Sequence, residues 1–462
     1  MELAAEQGGL LGEYIGQFES LIGDKRTQVA FKEVVRGIIS AGSLVCQRIA
    51  AHSAVLSAVK DGAQRVIRLA TGESTQRSRL DAESLTGVLR EGGIRRLSEA
   101  EGDELWLILD SSDLRKPYAQ EMPSLMLVRD LDGDLVPGYR TLNVLGVTPQ
   151  RRGILYHRLF SSEEAGFVSE PLEVQKGLHT VSQALQGLKE RLAVTWIMDS
   201  GLDDIAVWRT IWEQAEHLVC RLKHAERLVE YQNEQGQWVA GDIQQASRHC
   251  HLLATAQSKM LVRRGSQKRA KRQQVPVEIW AGSIRLTYET HGRYTASSAG
   301  TSQKLLWLVE VRLPKTDLDP WLLVTDWPVT KADHAVRIFR MYRQRWAVED
   351  SFKFVKASLG WEEVQLLDLR GIRTLVALGW VAAAFLYDLG VTLEWQEVHL
   401  LARLGGWSAR QDRQPGKIVL TRGLRRLADM LTTQAFLNRY IADHGPLPPG
   451  ITNLLQDLAD DS

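Results

Sequence analysis

Residues 105–110 read Leu-Trp-Leu-Ile-Leu-Asp, a short apolar run that ends in an acidic residue. An unbroken apolar run of this length favours a strand that is buried on both faces of a sheet. The same pattern returns at Val194–Met198, which is followed directly by Asp199. Because each acid directly follows its run, we expect Asp110 and Asp199 to lie at the carboxyl edge of one sheet. Three nearby acids compete for these positions: Asp113, Asp203 and Asp204.

Further strands and helices are expected around these two runs. Apolar, β-like segments predict strands at Ser124–Val128, Leu135–Val147, Ile154–Phe160 and His217–Leu222. The Asp132-Gly133 pair suits a tight turn between the first two of these strands. Helical spacing covers Pro171–Leu192, and another helix is expected between Asp199 and Glu216. The alternation of strands and helices predicts an α/β core.

The regions outside this core have different patterns. The N-terminal region has helical spacing and a polar, arginine-bearing segment that could present arginine to DNA phosphates; a solvated helical bundle is the alternative. Val275–Thr287 and Leu305–Leu313 look like strands of an insertion. We therefore expect five segments: a helical DNA-binding domain at 1–100, the first part of the core at 101–225, a β-rich insertion at 226–323, the second part of the core at 324–390, and a helical C-terminal domain with a candidate dimer surface at 391–462.

The composition excludes some classes of protein. A chain of 462 residues predicts about two to four domains. Three distant cysteines argue against a disulfide framework and favour a reducing cytoplasm. The acidic N-terminus lacks the basic segment of a signal peptide. The apolar stretch Leu375–Leu386 is shorter than the about 20 residues that span a bilayer, so we expect a buried core helix and no membrane partner.

The charge of the chain is informative only where it is concentrated. The formal net charge is +1, so a surface that binds nucleic acid requires an uneven distribution of charge. Residues 263–272 hold six basic residues and no acid. Such a run is usually a solvated loop, but uncompensated like charges also favour a polyanion. We therefore expect DNA contact from the basic side chains of this run: Arg263, Arg264, Lys268, Arg269, Lys271 and Arg272.

A third acid lies in a segment, Lys331–Leu359, with the spacing of one long helix. At 3.6 residues per turn, four of its side chains project within about 60° of one another. They are Tyr342, Arg345, Glu349 and Lys356. A tyrosine, two cations and an acid on one face suit a surface that holds metal and phosphate together, whereas a solvated Arg–Glu pair is the plain alternative. Trp346 projects away from Arg345 and is expected in the core.

These four positions carry a resemblance to a known family. The pattern Tyr-x2-Arg-x3-Glu-x6-Lys, within YRQRWAVEDSFKFVK at 342–356, matches the Y-R-E-K signature of the insertion-sequence-four family of bacterial DDE transposases. The upstream segment from Asp319 is also similar to that family. The order of elements across about residues 100–390 resembles a ribonuclease-H-like core, a mixed sheet flanked by helices, which is interrupted in this family by a β-rich insertion.

The resemblance implies roles for specific residues. Asp110, Asp199 and Glu349 would be the catalytic metal ligands. Two Mg²⁺ ions about 3.5–4 Å apart activate a nucleophile and stabilise the leaving oxygen in such sites, and Mn²⁺ is a candidate substitute. Tyr342, Arg345 and Lys356 would bind phosphates near a 5′ DNA end. Trp321 lies where a family relative stacks a tryptophan on a flipped-out base, and core packing is the alternative.

The implied activity is cut-and-paste DNA transposition. It comprises strand cleavage, hairpin formation at the transposon end, and strand transfer into target DNA. The implied partners are double-stranded DNA, as terminal inverted repeats and as target, and a second copy of the chain in a homodimer. The implied location is the bacterial cytoplasm, on the nucleoid when DNA is bound. Two alternatives remain: a catalytically silent DNA-binding descendant of a transposase, and a ribonuclease-H-like host nuclease that cuts without joining.

Overall fold

The structure is a computed structural model that describes residues 9–53, 58–72, 80–262, 271–286, 304–314, 316, 318–408 and 414–452. It divides into two compact units. Unit 1 comprises residues 1–89, 113–139 and 352–462, and unit 2 comprises residues 90–112 and 140–351. This division differs from the five consecutive segments expected from the sequence, because the chain passes from one unit to the other several times.

The chain is a mixed α/β protein. Its helices are α1 (Leu10–Gly16), α2 (Lys25–Ala41), α3 (Cys46–Ala51), α4 (Val59–Thr71), α5 (Ala82–Ser98), α6 (Glu170–Ala184), α7 (Gln186–Lys189), α8 (Ile205–Glu213), α9 (Ile243–Arg248), α10 (Ala332–Arg343), α11 (Trp346–Ser358), α12 (Leu369–Thr392), α13 (Trp395–Leu404) and α14 (Lys417–His444). Its strands are β1 (Glu104–Arg115), β2 (Met126–Arg129), β3 (Leu135–Val147), β4 (Arg152–Phe160), β5 (Ala193–Met198), β6 (His217–Arg221), β7 (Leu228–Gln232), β8 (Trp238–Asp242), β9 (His251–Val262), β10 (Lys271–Leu286), β11 (Leu305–Arg312) and β12 (Trp321–Thr325). The predicted strands are confirmed, with shifts at their ends, except that Thr287, the last residue of one prediction, lies outside the described residues.

Unit 2 is built on a large mixed sheet. Strands β4, β3, β1, β5, β6, β12, β11 and β10 follow one another across it. β1, β5 and β6 are parallel neighbours, whereas β12, β11 and β10 run antiparallel. The parallel strands are buried, and Leu105, Leu107, Ile108 and Leu109 of β1 are completely buried. Burial on both faces explains why their sequences are unbroken apolar runs.

The register of β1 and β5 places two acids side by side. Leu109 pairs with Met198, so Asp110 and Asp199 are the next residues on two neighbouring parallel strands. The expectation that Asp110 ends its strand is wrong, because β1 continues to Arg115. The neighbouring strand β3 provides bonding partners beyond the apolar run, and the hydroxyl of Thr141 donates to the carbonyl of Ser112. Asp199 does follow the end of β5, as expected.

Helices cover the sheet of unit 2 and complete its core. Helices α6 and α8 contact each other and pack on β4 and β6, respectively. Helix α10 packs against β5, β6, β9 and β10. This placement explains why the apolar side of α10, including Phe339 and Tyr342, is buried. It also sets the end of α10 near the end of β5.

The predicted long helix at Lys331–Leu359 is wrong in one respect. It consists of two helices, α10 and α11, separated at Gln344 and Arg345. The amide of Arg345 still bonds to the carbonyl of Tyr342, so the chain makes a tight turn there instead of continuing the helix. A single projection at 100° per residue therefore does not relate Tyr342 to Glu349.

Unit 1 has a helical core. The apolar helix α12 packs against α2, α4 and α14, and most of its residues are buried. By length and composition α12 is long enough to cross a membrane, but 78% of its most apolar window is buried inside the protein. It is also longer than the apolar stretch Leu375–Leu386 that marks it in the sequence. The expectation of a buried core helix is confirmed.

The β2–β3 hairpin also belongs to unit 1. Its strands pair from Met126 opposite Gly138 to Arg129 opposite Leu135. The turn is closed by a bond from the amide of Asp130 to the carbonyl of Asp134. Gly133 has φ of 94°, a conformation that favours glycine, so the predicted Asp-Gly turn is confirmed.

Candidate active site

Three acids of unit 2 meet around one arginine. A terminal guanidinium nitrogen of Arg345, Nη1, lies 3.5 Å from Oδ2 of Asp110 and 3.7 Å from Oδ2 of Asp199. The other terminal nitrogen, Nη2, lies 2.6 Å from Oε1 of Glu349. The two aspartate oxygens contact the same atom, so they cannot be farther apart than the sum of their distances to it. Three acids distant in sequence are thus brought together by β1, β5 and α11.

The surroundings of Asp110 disfavour its charge. Burial raises the pKa of Asp110 to about 7, and the neighbouring carboxylates of Asp199 and Glu349 add to this effect, although Arg345 opposes it. Like charges at short range disfavour simultaneous ionisation. The cluster therefore has an excess of negative charge that one guanidinium does not fully balance.

Arg345 owes its position to the turn between the two helices. The residue is buried, with 8% of its surface exposed. Burial acts against its charged form, but Asp199, Tyr342, Glu349 and Asp110 outweigh burial and raise the pKa of Arg345. A buried cation is tolerated when it is paired in this way. The guanidinium therefore stays charged and holds the three carboxylates.

Tyr342 is buried at the end of α10 and faces Asp199. Its hydroxyl donates a hydrogen bond of 3.2 Å to Oδ1 of Asp199. Burial and the charge of Asp199 raise the pKa of Tyr342. A phenol with a raised pKa is a weak nucleophile, so a tyrosine–DNA covalent intermediate is not favoured. In this structure Tyr342 orients a carboxylate.

The two tryptophans beside the acids lie in different environments. Trp321, at the start of β12, is 7% exposed and packs against the rings of Phe339, Tyr342 and Trp346. This placement is the core-packing alternative. Trp346, expected in the core, is 38% exposed, and its ring lies 5.7 Å from that of Trp321. The physical reason is the helix break, which starts α11 at Trp346 and turns its side chain towards solvent.

Lys356 belongs to unit 1, in the last turn of α11. Its amine donates 2.6 Å to the carbonyl of Asp113 and lies 3.4 Å from Oε1 of Glu362. Arg115 donates two hydrogen bonds, of 2.9 and 3.1 Å, to the same Glu362 carboxylate. Burial lowers the pKa of Lys356, although Glu362 opposes this. Lys356 thus belongs to a group of two cations that share one carboxylate.

The acids provide the oxygen donors that a hard divalent cation prefers. Their convergence on one positive charge fits such an ion in donor type and in sign of charge. Among the described residues, however, no three His, Cys, Asp or Glu side chains are close enough together to hold one metal ion. What the three acids share in this structure is the guanidinium of Arg345.

Comparisons with known proteins add little to what the geometry of the site indicates about function. No family model and no curated protein matches the chain. One similar structure is a transposase. It is a cryo-electron microscopy structure of the piggyBac transposase synaptic complex with hairpin DNA, with 10% sequence identity, coverage of 90% of this chain and 75% of that chain, and a TM-score of 0.40. Similarity at this level transfers neither fold nor function to this chain.

The predicted basic run is mostly outside the described residues. Arg263, Arg264, Lys268 and Arg269 lie there, and Lys271 and Arg272 begin β10 with side chains that are not described. One cation that sequence reasoning missed is Arg221, the last residue of β6, whose charge acts on Tyr342. Its signal in the sequence was an arginine inside the apolar segment His217–Leu222.

Proposed function

We propose that the chain is a DNA transposase with a ribonuclease-H-like catalytic core. The observation that carries this proposal is the convergence of Asp110, Asp199 and Glu349 on Arg345, with Tyr342 bonded to Asp199. Three of these five residues, Tyr342, Arg345 and Glu349, are positions of one signature, and the other two, Asp110 and Asp199, follow the two apolar runs. A solvated Arg–Glu pair does not account for a buried arginine that also contacts two distant aspartates.

The order of strands supports a ribonuclease-H-like core. In that fold one acid lies on the central first strand, one lies just past the fourth strand, and one lies on a later helix. Leaving out β2, which belongs to unit 1, the chain order is β1, β3, β4 and then β5. Asp110, Asp199 and Glu349 occupy the corresponding positions on β1, after β5 and on α11.

Asp110, Asp199 and Glu349 would hold two divalent cations, Mg²⁺ or Mn²⁺, after a rearrangement that brings their oxygens closer together than they lie here. When bound, such ions activate an attacking oxygen and stabilise a leaving oxygen. The chain's own residues contribute positioning. Tyr342 fixes one oxygen of Asp199, and Glu349 sits in the first turn of α11, where the helix dipole favours a carboxylate.

The proposed reaction is cut-and-paste transposition on double-stranded DNA. Water cleaves the strand at the 3′ end of the element, the freed 3′-hydroxyl attacks the opposite strand to form a hairpin, and a second water opens it. The 3′-hydroxyl then attacks target DNA. Each step replaces one phosphodiester oxygen by another, so bonds and charge balance without a protein–DNA bond.

The proposal also includes binding partners and a location. Lys356 would bind a phosphate near the 5′ end, and a homodimer would hold two transposon ends. Helix α14 exposes apolar side chains, including Met430, Phe436 and Ile441, and this supports a contact with a second copy. The location would be the bacterial cytoplasm, on the nucleoid.

A cleavage and joining assay tests the function. The substrate is a supercoiled plasmid that carries the genomic segments flanking the gene, incubated with Mg²⁺ or Mn²⁺ and a second plasmid as target. Glu349→Gln is expected to abolish nicking and still bind DNA, whereas the matched variant Asp350→Asn, at an exposed neighbouring residue, is expected to keep activity.

The products separate the proposal from its alternatives. Strand-transfer products that carry the plasmid's 3′ ends support a transposase. Nicks without joined products indicate a nuclease, and DNA binding without cleavage in either metal indicates a silent descendant. Full cleavage by the Glu349→Gln variant would contradict the assignment of the acids.

A further inference from the structure

One arginine contacts every acid of the candidate active site. Nη1 of Arg345 contacts Asp110 and Asp199, and Nη2 contacts Glu349. Asp110 and Asp199 are partly buried and Glu349 is exposed, whereas the guanidinium itself is almost completely buried. The arginine therefore neutralises part of a cluster whose mutual repulsion would otherwise separate the three side chains.

A divalent cation and this guanidinium compete for the same carboxylate oxygens. Both are positive, and at a separation of about 4 Å like charges repel strongly in a partly buried site. The carboxylates that would coordinate the ion are the ones that hold the guanidinium. Ion binding therefore requires these contacts to loosen, and this lowers the affinity for the ion while they persist.

A phosphate group is a suitable alternative partner for the arginine. The fork of guanidinium donors matches phosphate oxygens in a bidentate geometry. Arg345 lies in the turn between α10 and α11, outside both helices, and a change of its side-chain torsions moves the guanidinium without moving the backbone. A DNA phosphate that accepts the guanidinium would free the three carboxylates from their shared contact with Arg345.

We propose that Arg345 is a positioning residue that couples metal loading to DNA binding. In the DNA-free protein it holds Asp110, Asp199 and Glu349 together and keeps their affinity for divalent cations low. A DNA phosphate draws the guanidinium away and raises that affinity. This inference rests on the proposed function, because it concerns the cations of the same site.

The coupling is reciprocal, which makes it measurable from either side. If a DNA phosphate raises the affinity for the cation, the cation raises the affinity for that phosphate by the same factor. Coupling between two sites is typically about 5- to 150-fold. Removing the guanidinium removes both the competition and the coupling.

Binding of Mn²⁺ to the full chain without DNA tests the first half of the proposal. The concentration of unbound Mn²⁺ is read from its electron paramagnetic resonance signal. Arg345→Gln is expected to bind Mn²⁺ at least about tenfold more tightly than the wild type, and Arg345→Lys is expected to lie in between. Arg343→Gln, a neighbouring arginine that packs over Phe339, is the control and is expected to bind as the wild type does.

A pair of short DNA duplexes tests the second half. They have the same sequence and differ in a 5′-phosphate or a 5′-hydroxyl at one end, and Mn²⁺ bound to each duplex alone is measured and subtracted. The 5′-phosphate is expected to raise the affinity of the wild type for Mn²⁺ more than about fivefold and to have no such effect on Arg345→Gln.

Each outcome supports or overturns a defined claim. If Arg345→Gln binds Mn²⁺ equally or more weakly while Glu349→Gln also loses affinity, Arg345 only supports the site structurally. The coupling is then refuted, and the proposed metal site stands. If none of the proteins binds Mn²⁺, with or without DNA, the proposed function fails together with the coupling. Should Arg345→Gln not fold, as judged by circular dichroism, Arg345→Lys provides the comparison, with a smaller expected gain in affinity.

Discussion

The Glu216→Gln substitution is expected to destabilise unit 2 by about 3–5 kcal/mol, the usual cost of breaking a buried ion pair from one side. The carboxylate of Glu216 is 1% exposed and lies 2.7 Å from the amine of Lys189. It also accepts bonds of 2.6 Å from the indole of Trp196 and 2.7 Å from the hydroxyl of Ser182.

The size of this loss follows from the partners that glutamine leaves behind. The neutral amide has nearly the same shape, so little packing is lost. Lys189, however, keeps its charge without a counter-charge in a half-buried place, and hydrogen bonds to a charged acceptor, each contributing about 1.5–3 kcal/mol, become neutral ones. Trp196 precedes Asp199 by three residues on β5, so the network also steadies a strand that delivers a candidate ligand.

Urea unfolding followed by tryptophan fluorescence measures the effect. The midpoint is expected to fall with an unchanged slope, which reports a loss of stability rather than of compactness. The control Glu213→Gln changes an exposed acid nearby and is expected to stay within about 0.5 kcal/mol of the wild type. Adding Lys189→Met to Glu216→Gln removes the unpaired cation and is expected to recover part of the loss. A double variant no more stable than Glu216→Gln, or a loss under about 1 kcal/mol, would refute the role of the buried pair.

Three further changes have expected outcomes. Burial lowers the pKa of His157 from 6.5 to about 3, so below pH 6.5 the unfolded chain binds a proton that the folded chain excludes. The contribution of the neutral His157 to stability is therefore fully present above pH 6.5, and the free energy of unfolding is expected to fall by about 2 kcal/mol by pH 5. Urea unfolding at pH 7 and pH 5 should show this loss for the wild type and not for His157→Gln. Equal losses in the two proteins would count against a role of His157. A side chain at Gly153 would meet the backbone of Gly93 at 2.8 Å, so Gly153→Ala is expected to cost about 1–3 kcal/mol in the same assay, and an unchanged midpoint would contradict this contact. Tyr342→Phe removes the bond to Asp199 and is expected to slow nicking about tenfold while cleavage remains detectable, whereas complete loss of cleavage would point to a direct chemical role of the hydroxyl.

The parts of the site that the sequence predicts correctly are those that depend on burial along a single strand. A parallel strand buried on both faces needs an unbroken apolar run, so Leu105–Leu109 and Val194–Met198 were recognisable, and the acids after them stood out. The extension of β1 beyond Asp110 was not recognisable, because it depends on pairing with β3, which lies far along the chain.

The parts of the site that the sequence does not predict depend on contacts between distant residues, which exist only in the folded chain. Gln344, Arg345 and Trp346 are all acceptable residues inside a helix, and nothing local marks a break there. The break accompanies the contacts of Arg345 with three acids, two of which are more than a hundred positions away. Trp346 begins the second helix directly after that break and is exposed, so a projection based on one continuous helix assigns it to the wrong side.

The division of the chain into two units also could not be predicted from the sequence. Composition changes near residue 104, where helices give way to strands, and this change was visible. The boundaries between units fall instead within α5, β1, β3 and α11. An element that runs through a boundary keeps its own periodicity, and no loop-like composition marks the place.

The pairing of Leu109 with Met198 limits how this protein can vary over evolutionary time. Side chains alternate between the two faces of a strand, so losing one residue within β1 or β5 would carry the acid that follows to the opposite side of the sheet. The connections between these strands have no such requirement and can gain or lose residues. Lineages of this protein should therefore differ in length in their loops, while the spacing inside these two strands stays constant.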